Sequence, residues 1–175
     1  IQTGMGRTGT LFSYEDLGIV PDIICSAKAL GAGMPLGAFI SRKKIMDVLS
    51  NNPVLGHITT FGGHPVCCAA GLAGLKFLLE NNLLEQVKSK SDFIFNQINP
   101  SEKIKSISGK GLMISIEFEN FEINKKIIDL CIENGLITDW FLHAPNKLRI
   151  SPPLTITQSE LDKSIQIINK CVRMA

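Results

Sequence analysis

The stretch Pro21 to Gly37, PDIICSAKALGAGMPLG, constrains this chain more than any other. Ile23 to Ser26 reads as a short buried strand that ends at Lys28. Gly31 to Pro35 then allows a tight backbone turn, and Gly37-Ala38-Phe39-Ile40-Ser41 offers a second strand. A rigid strand followed at once by a turn holds one amine in place. If the site is partly desolvated, the ammonium is disfavoured, and the neutral amine can form a Schiff base with a carbonyl compound. The plainer alternative is a lysine that only caps the exposed end of a strand. Gly31-x-Gly33-x-x-x-Gly37 also invites comparison with a dinucleotide loop. Its spacing is one residue too long for that fingerprint, and Pro35 would disturb a helix start where phosphate should bind.

Composition excludes several classes of function. The 175 residues suffice for one large or two small domains, each with a core, and 45% hydrophobic content argues for a globular chain rather than a disordered one. Eighteen basic against sixteen acidic side chains leave +2, no field for nucleic acid, and the small lysine groups at 43 and 44, 103 and 105, and 125 and 126 read as solvated faces. Five cysteines without paired spacing argue against a disulfide framework and for a reducing compartment, the cytoplasm. Cys67-Cys68 reads as two small buried helix residues. His57, His64 and His143 have no ligand-type spacing with the cysteines, so no metal is expected. Nor is a membrane partner expected, because no apolar run approaches the ~20 residues of a spanning helix. No signal peptide is expected from the first residues given.

Along the chain, residues 1–20 read as a Gly- and Thr-rich loop, and Arg42 to Leu49 as a short helix with Ile45, Val48 and Leu49 on one face. Asn51 to Gly63 is a turn segment. A hydroxyl and backbone N–H groups near Thr59-Thr60 could hold a phosphate beside a helix starting at Pro65, or a threonine could simply cap that helix. Cys68, Leu72, Leu75 and Leu79 have helical period, and Ala69, Ala70, Gly71, Ala73 and Gly74 leave a smooth face for close packing. A second helix runs through Leu83, Val87, Phe93 or Ile94, and Ile98 and ends at Pro100, where the domain change is placed. Beyond it, Ile104 to Ile107 and Leu112 to Phe118 form a hairpin through Gly109-Lys110-Gly111. A helix over Ile123 to Cys131 stops at Gly135; Leu136 to Thr138 and Leu148 to Ile150 read as strands. Thr157-Gln158-Ser159-Glu160 is a capping box that opens the last helix. This ordering gives an α+β domain over 100–175. Arg149 is, on residue type alone, a surface ion-pair partner or an anion site; Asp139 to His143 could shape specificity or be an ordinary loop.

Three segments stand in one order: Gln2-Thr3-Gly4-Met5-Gly6-Arg7-Thr8-Gly9, then Ser26-Ala27-Lys28-Ala29, then Thr59-Thr60-Phe61-Gly62-Gly63. With Gly109-Lys110-Gly111-Leu112-Met113 and Leu148-Arg149-Ile150-Ser151-Pro152-Pro153 they resemble the class III aminotransferases of the ornithine and acetylornithine type. The resemblance implies an α/β chain of fold type I, dependent on pyridoxal 5′-phosphate (PLP). Residues 1–99 would be the end of the large cofactor-binding domain with its connecting helix, and 100–175 the small α+β C-terminal domain. It makes Lys28 the catalytic, cofactor-anchoring lysine. Gln2 would lie beside the cofactor ring and its phenolic oxygen, where an amide donates without adding charge. Thr60 would bind the cofactor phosphate across the interface of a homodimer, and Arg149 the substrate carboxylate. The reaction implied moves an amino group from an amino acid or amine to a 2-oxo acid such as 2-oxoglutarate.

In that family an Asp-Glu pair precedes the position of Ile1, so the chain resembles the C-terminal part of a longer protein. The aspartate that pairs with the pyridine nitrogen would then lie upstream, and this chain alone is expected to bind PLP poorly and to transaminate negligibly. An aminomutase or decarboxylase on the same fold, and a non-catalytic assembly subunit, are the competing readings.

Overall fold

The computed structural model describes residues 1–54 and 57–175. Residues 55 and 56 of the expected turn segment 51–63 lie outside the described residues. The chain divides into two compact units, Ile1–Leu84 and Glu85–Ala175.

In the first unit, β1 (Ile23–Ser26) and β2 (Ala38–Ser41) form an antiparallel two-stranded sheet, with Ile24 opposite Ile40 and Cys25 opposite Phe39. A 3-10 turn, Lys28–Gly31, follows β1 directly. After β2 come a short helix α1 (Lys43–Met46), a 3-10 turn over Asp47–Ser50, and the helix α2 (Pro65–Glu80). The expected burial of the first strand is corrected: Ile23 is 53% exposed and Cys25 is exposed too, as is Phe39 of the second strand at 47%. With two strands only, each strand has an open edge and the pair is too thin to enclose its own side chains.

The buried stripe of α2 also differs from the expected one. Cys67, Gly71 and Leu78 are buried, whereas Cys68, Leu72 and Leu79 are exposed. The reason is backbone packing. A Cβ on Gly71 would stand 2.7 Å from the Leu30 carbonyl oxygen, and one on Gly74 would stand 2.5 Å from the Ala32 Cβ. The two glycines let the turn after Lys28 rest on the helix, so the smooth face, not the apolar one, faces inward.

The second unit builds its own core. Helix α3 (Leu83–Gln97) leads into β3 (Ser106–Lys110), β4 (Met113–Glu117), α4 (Phe121–Glu133), β5 (Asp139–Phe141), β6 (Ala144–Ile150) and α5 (Gln158–Met174). The four strands form an antiparallel sheet in the order β3-β4-β6-β5. Alternation along Leu112, Ile114, Ile116 and Phe118 puts four fully buried side chains on one face. Val87 and Ile94 of α3, Ile98 just after it, Ile127 and Ile128 of α4, and Leu161, Ile165 and Ile168 of α5 join them in one cluster. The sequence reading groups α3 with the residues before Pro100; its inward face packs with the strands that follow.

Local signals fix the ends of these helices. Asn120 caps α4 by accepting from the Ile123 N–H at 3.0 Å, and Gly135 follows that helix at φ 84°. Thr157 and Glu160 form the capping box of α5. Cys131 and Cys171, both wholly buried, lie in the core where α4 meets α5. Burial and the Cys171 thiol beside it push the Cys131 thiol up to about 12. The expected strand over Leu136 to Thr138 is corrected to Asp139–Phe141. Thr138 Oγ1 donates to the Arg149 carbonyl at 2.6 Å, so a side chain, rather than the backbone ladder, meets β6 at that point.

Candidate functional site

In the first unit the chain reverses at the lysine. Ala27 is extended at φ −161°, and Lys28 enters the left-handed region at φ 51°. A non-glycine residue there costs on the order of 1–3 kcal/mol, so surrounding structure must hold it. The Leu30 N–H donates to the Ala27 carbonyl at 3.1 Å and the Met34 N–H to the Gly31 carbonyl at 2.9 Å, and α2 lies beneath through Gly71 and Gly74. Ser26, just before the reversal, is 4% exposed. The Lys28 side chain is exposed, which corrects the partly desolvated site expected from sequence. A turn raised on the face of a helix presents its first side chain outward. Among the described residues the Lys28 ammonium has no hydrogen-bond or ion-pair partner.

The N-terminus runs beside the same strand. The Ile1 nitrogen donates to the Cys25 carbonyl at 3.3 Å, so Gln2 leaves from alongside β1 with its side chain exposed. Thr60 lies in the turn that precedes α2 and is exposed. That turn is closed by the Gly62 N–H donating to the Thr59 carbonyl and the His64 N–H to the Phe61 carbonyl, both at 3.2 Å. The capping alternative for Thr60 is already filled: His64 Nδ1 accepts from the Val66 N–H at 3.3 Å, and Pro65 occupies the first turn. The Thr60 hydroxyl is left to serve something else. Gln2 and Lys28 are thus tied to one strand, while no hydrogen bond joins Thr60 to either among the described residues.

In the second unit, Arg149 lies on β6 opposite Asp139 of β5. Arg149 Nη2 donates to Asp139 Oδ2 at 2.5 Å, with the two side chains 30% and 50% exposed. An ion pair that wet contributes about 1 kcal/mol or less, so an incoming ion can rearrange it. Sequence reasoning left Asp139 undecided; the cue was its place just after the expected strand, ten residues before Arg149. A cavity of about 340 Å³ opens beside the pair. Its walls are mainly apolar, from Leu136, Ile156, Leu161, Ile165 and Ile168, with Ser151 and Ser164 as further polar groups.

The unit thus offers a forked cation, a neighbouring carboxylate and room for a short aliphatic chain.

Comparison with known proteins bears on both units. The family model for aminotransferase class-III matches residues 1–172. Among solved structures, the ornithine δ-aminotransferase of Plasmodium falciparum is 34% identical, with a TM-score of 0.86 over 99% of this chain and 45% of its own. The ornithine aminotransferase of Toxoplasma gondii, whose structure records partial occupancy of PLP at the active site, is 29% identical, with a TM-score of 0.88 over 99% of this chain and 41% of its own. An (S)-enantioselective omega-transaminase from Thermomicrobium roseum is 29% identical, with a TM-score of 0.89 over 99% and 42%. The chain therefore spans less than half the length of these relatives.

Proposed function

Because the chain belongs to the class-III aminotransferase family, we propose that it is the lysine-bearing part of a PLP-dependent aminotransferase of fold type I. Residues 1–99 belong to its large domain and 100–175 form its small domain. The observation that carries this reading is Lys28 itself, an amine without a partner among the described residues, on a left-handed turn between two strands and within the segment order of that family.

The residues present fit the cofactor. Lys28 Nζ is accessible to an aldehyde, the Gln2 amide leaves from beside the same strand, and the Thr60 hydroxyl stands free of the capping role that His64 fills. PLP, when bound, supplies an electron sink for the carbon that bears the amine. Lys28 would anchor the cofactor through Nζ and, as an amine, would hold or move a proton at that atom. The Gln2 amide donates to the phenolic oxygen without adding charge. Thr60 Oγ1 binds the phosphate of the other subunit in a homodimer, close to the N–H groups that open α2. Arg149 binds the substrate carboxylate through its planar fork. The donor is an amino acid or amine of the ornithine, acetylornithine or 4-aminobutyrate type, and the acceptor a 2-oxo acid such as 2-oxoglutarate. The free thiols suit a reducing cytoplasm.

The test is chemical. The full-length protein that contains this chain is mixed with PLP, reduced with borohydride and digested, and the labelled peptide is mapped. A pyridoxyl group on Lys28, absent in Lys28→Ala, supports the proposal; a label elsewhere, or none, overturns it.

A further inference from the structure

We propose that Cys131 and Cys171 are a latent dithiol, a pair that a pool of oxidising small-molecule disulfides joins into one intrachain bridge stapling α4 to α5. The inference stands apart from the cofactor chemistry proposed above and uses the second unit alone.

Cys25, Cys67 and Cys68 fall in the first unit, so Cys131 and Cys171 are the two thiols of the second. Each sits in the last turn of its helix, Cys131 on α4 and Cys171 on α5, and each is wholly buried. The two helices pack on each other, and the thiols stand within hydrogen-bonding reach. Around them the cluster is apolar, with Ile127, Ile128, Ile168 and Val172. Two small hydrophobic residues would fill this space as well. What sets the pair apart is that the polar group beside Cys131 is a second thiol, a partner with which it can form a bond.

A fluctuation that parts α4 from α5 admits a small disulfide. One cysteine thiolate attacks it: a bond forms from Sγ to one reagent sulfur, the reagent S–S bond breaks, and the leaving thiolate takes up the proton that the cysteine lost. The other cysteine then attacks the protein sulfur of this mixed disulfide, forms the Cys131–Cys171 bond and expels the second reagent thiolate, which is protonated in turn. Two protein thiols are oxidised and one reagent disulfide is reduced to two thiols. Packing selects the product. An interior at crystal-like density has no space for an added reagent group, whereas the bridge adds no atoms and joins sulfurs already side by side. The core closes over the bridge and not over an adduct. Once it has closed, burial shuts reducing thiols out, so the bridge outlasts a return to reducing conditions. In a pool that has stayed reducing, both residues remain thiols.

The full-length protein that contains this chain is incubated in native buffer with oxidised glutathione, blocked with N-ethylmaleimide and digested without reductant, and its peptides are weighed. The expected product is a peptide pair joined through Cys131 and Cys171, lighter than the sum of its parts by the lost hydrogens. The bridged protein should melt at a higher temperature, because a cross-link over a long loop restricts the unfolded chain. Dithiothreitol should cleave the bridge about tenfold or more slowly in native buffer than in urea, since cleavage there waits for the core to open. Cys131→Ala and Cys171→Ala should each show neither the joined peptides nor the rise in melting temperature. If a variant fails to fold, the peptides of the native protein decide alone. Two free thiols after the incubation, separate glutathione adducts, a bridge from either residue to some other cysteine, or a bridge that leaves the melting temperature unchanged overturns the proposal.

Discussion

The two units hold their shape by different means. In the second, each strand and helix turns an apolar face inward, and residues as distant in sequence as Val87, Phe118, Leu148 and Ile168 share one buried cluster. In the first, the buried apolar side chains are Met5, Cys67, Leu78 and Leu83, while Ile23, Phe39, Ile40, Leu72 and Phe77 are each about half exposed. Its order comes from turns closed by backbone hydrogen bonds and from a turn seated on α2 at Gly71 and Gly74. Apolar burial, at about 25 cal/mol per Å², therefore does most for the second unit. The first unit instead leaves Lys28, Gln2 and Thr60 exposed.

The contrast can be broken by substitution. Leu148→Ala in the second unit is expected to cost about 2–5 kcal/mol, because the side chain is wholly buried and leaves a cavity. Leu72→Ala on α2, 56% exposed, should fall within about 0.5 kcal/mol. Urea unfolding followed by far-UV circular dichroism measures both, and equal costs would erase the distinction between the units.

A second substitution sharpens the picture of the first unit. Gly74→Ala should destabilise it by about 1–3 kcal/mol through overpacking against Ala32. Ala32 sits at φ 48°, so Ala32→Gly both removes the opposing Cβ and relieves a left-handed alanine. The double variant is expected to regain most of the loss in thermal unfolding. If Ala32→Gly restores nothing, the seat of the turn lies elsewhere.

The smallest expected effect belongs to the capping box of α5. Thr157→Ala should cost about 1 kcal/mol. The Thr157 N–H and hydroxyl hold the Glu160 carboxyl below the usual carboxylate range. A depressed carboxyl adds stability that is complete above its unfolded pKa and is lost as pH falls through the folded value. The native chain should therefore lose stability on the acid side more steeply than Thr157→Ala, a difference read by fluorescence of Trp140, the one tryptophan, in the second unit. Parallel acid profiles would count against the box.

Much of the second unit was legible because its signals are local. Alternation from Leu112 to Phe118, the glycine at 135 and the box at 157–160 each specify their element within a few residues. The start of β5 was not, because a threonine hydroxyl took the place of a ladder bond. The inward stripe of α2 was misjudged for a related reason. Periodicity finds the apolar face, and this helix packs its glycines against backbone. The left-handed φ of Lys28 has no sequence signature, and neither has the register that sets Asp139 against Arg149. The site roles given to Gln2, Lys28, Thr60 and Arg149 rest on motif order, since burial does not single these residues out.

The paired core cysteines turn the second unit into its own chemical clock. Alkylating and disulfide reagents attack the thiolate, and Cys131 at about 12 supplies almost none at neutral pH while it stays enclosed. Cys25 and Cys68, exposed in the first unit, are open to modification at once. Slow labelling of Cys131 and Cys171 therefore counts how often α4 and α5 part, and at saturating reagent its rate is the opening rate of the core, read from an untreated sample without denaturant.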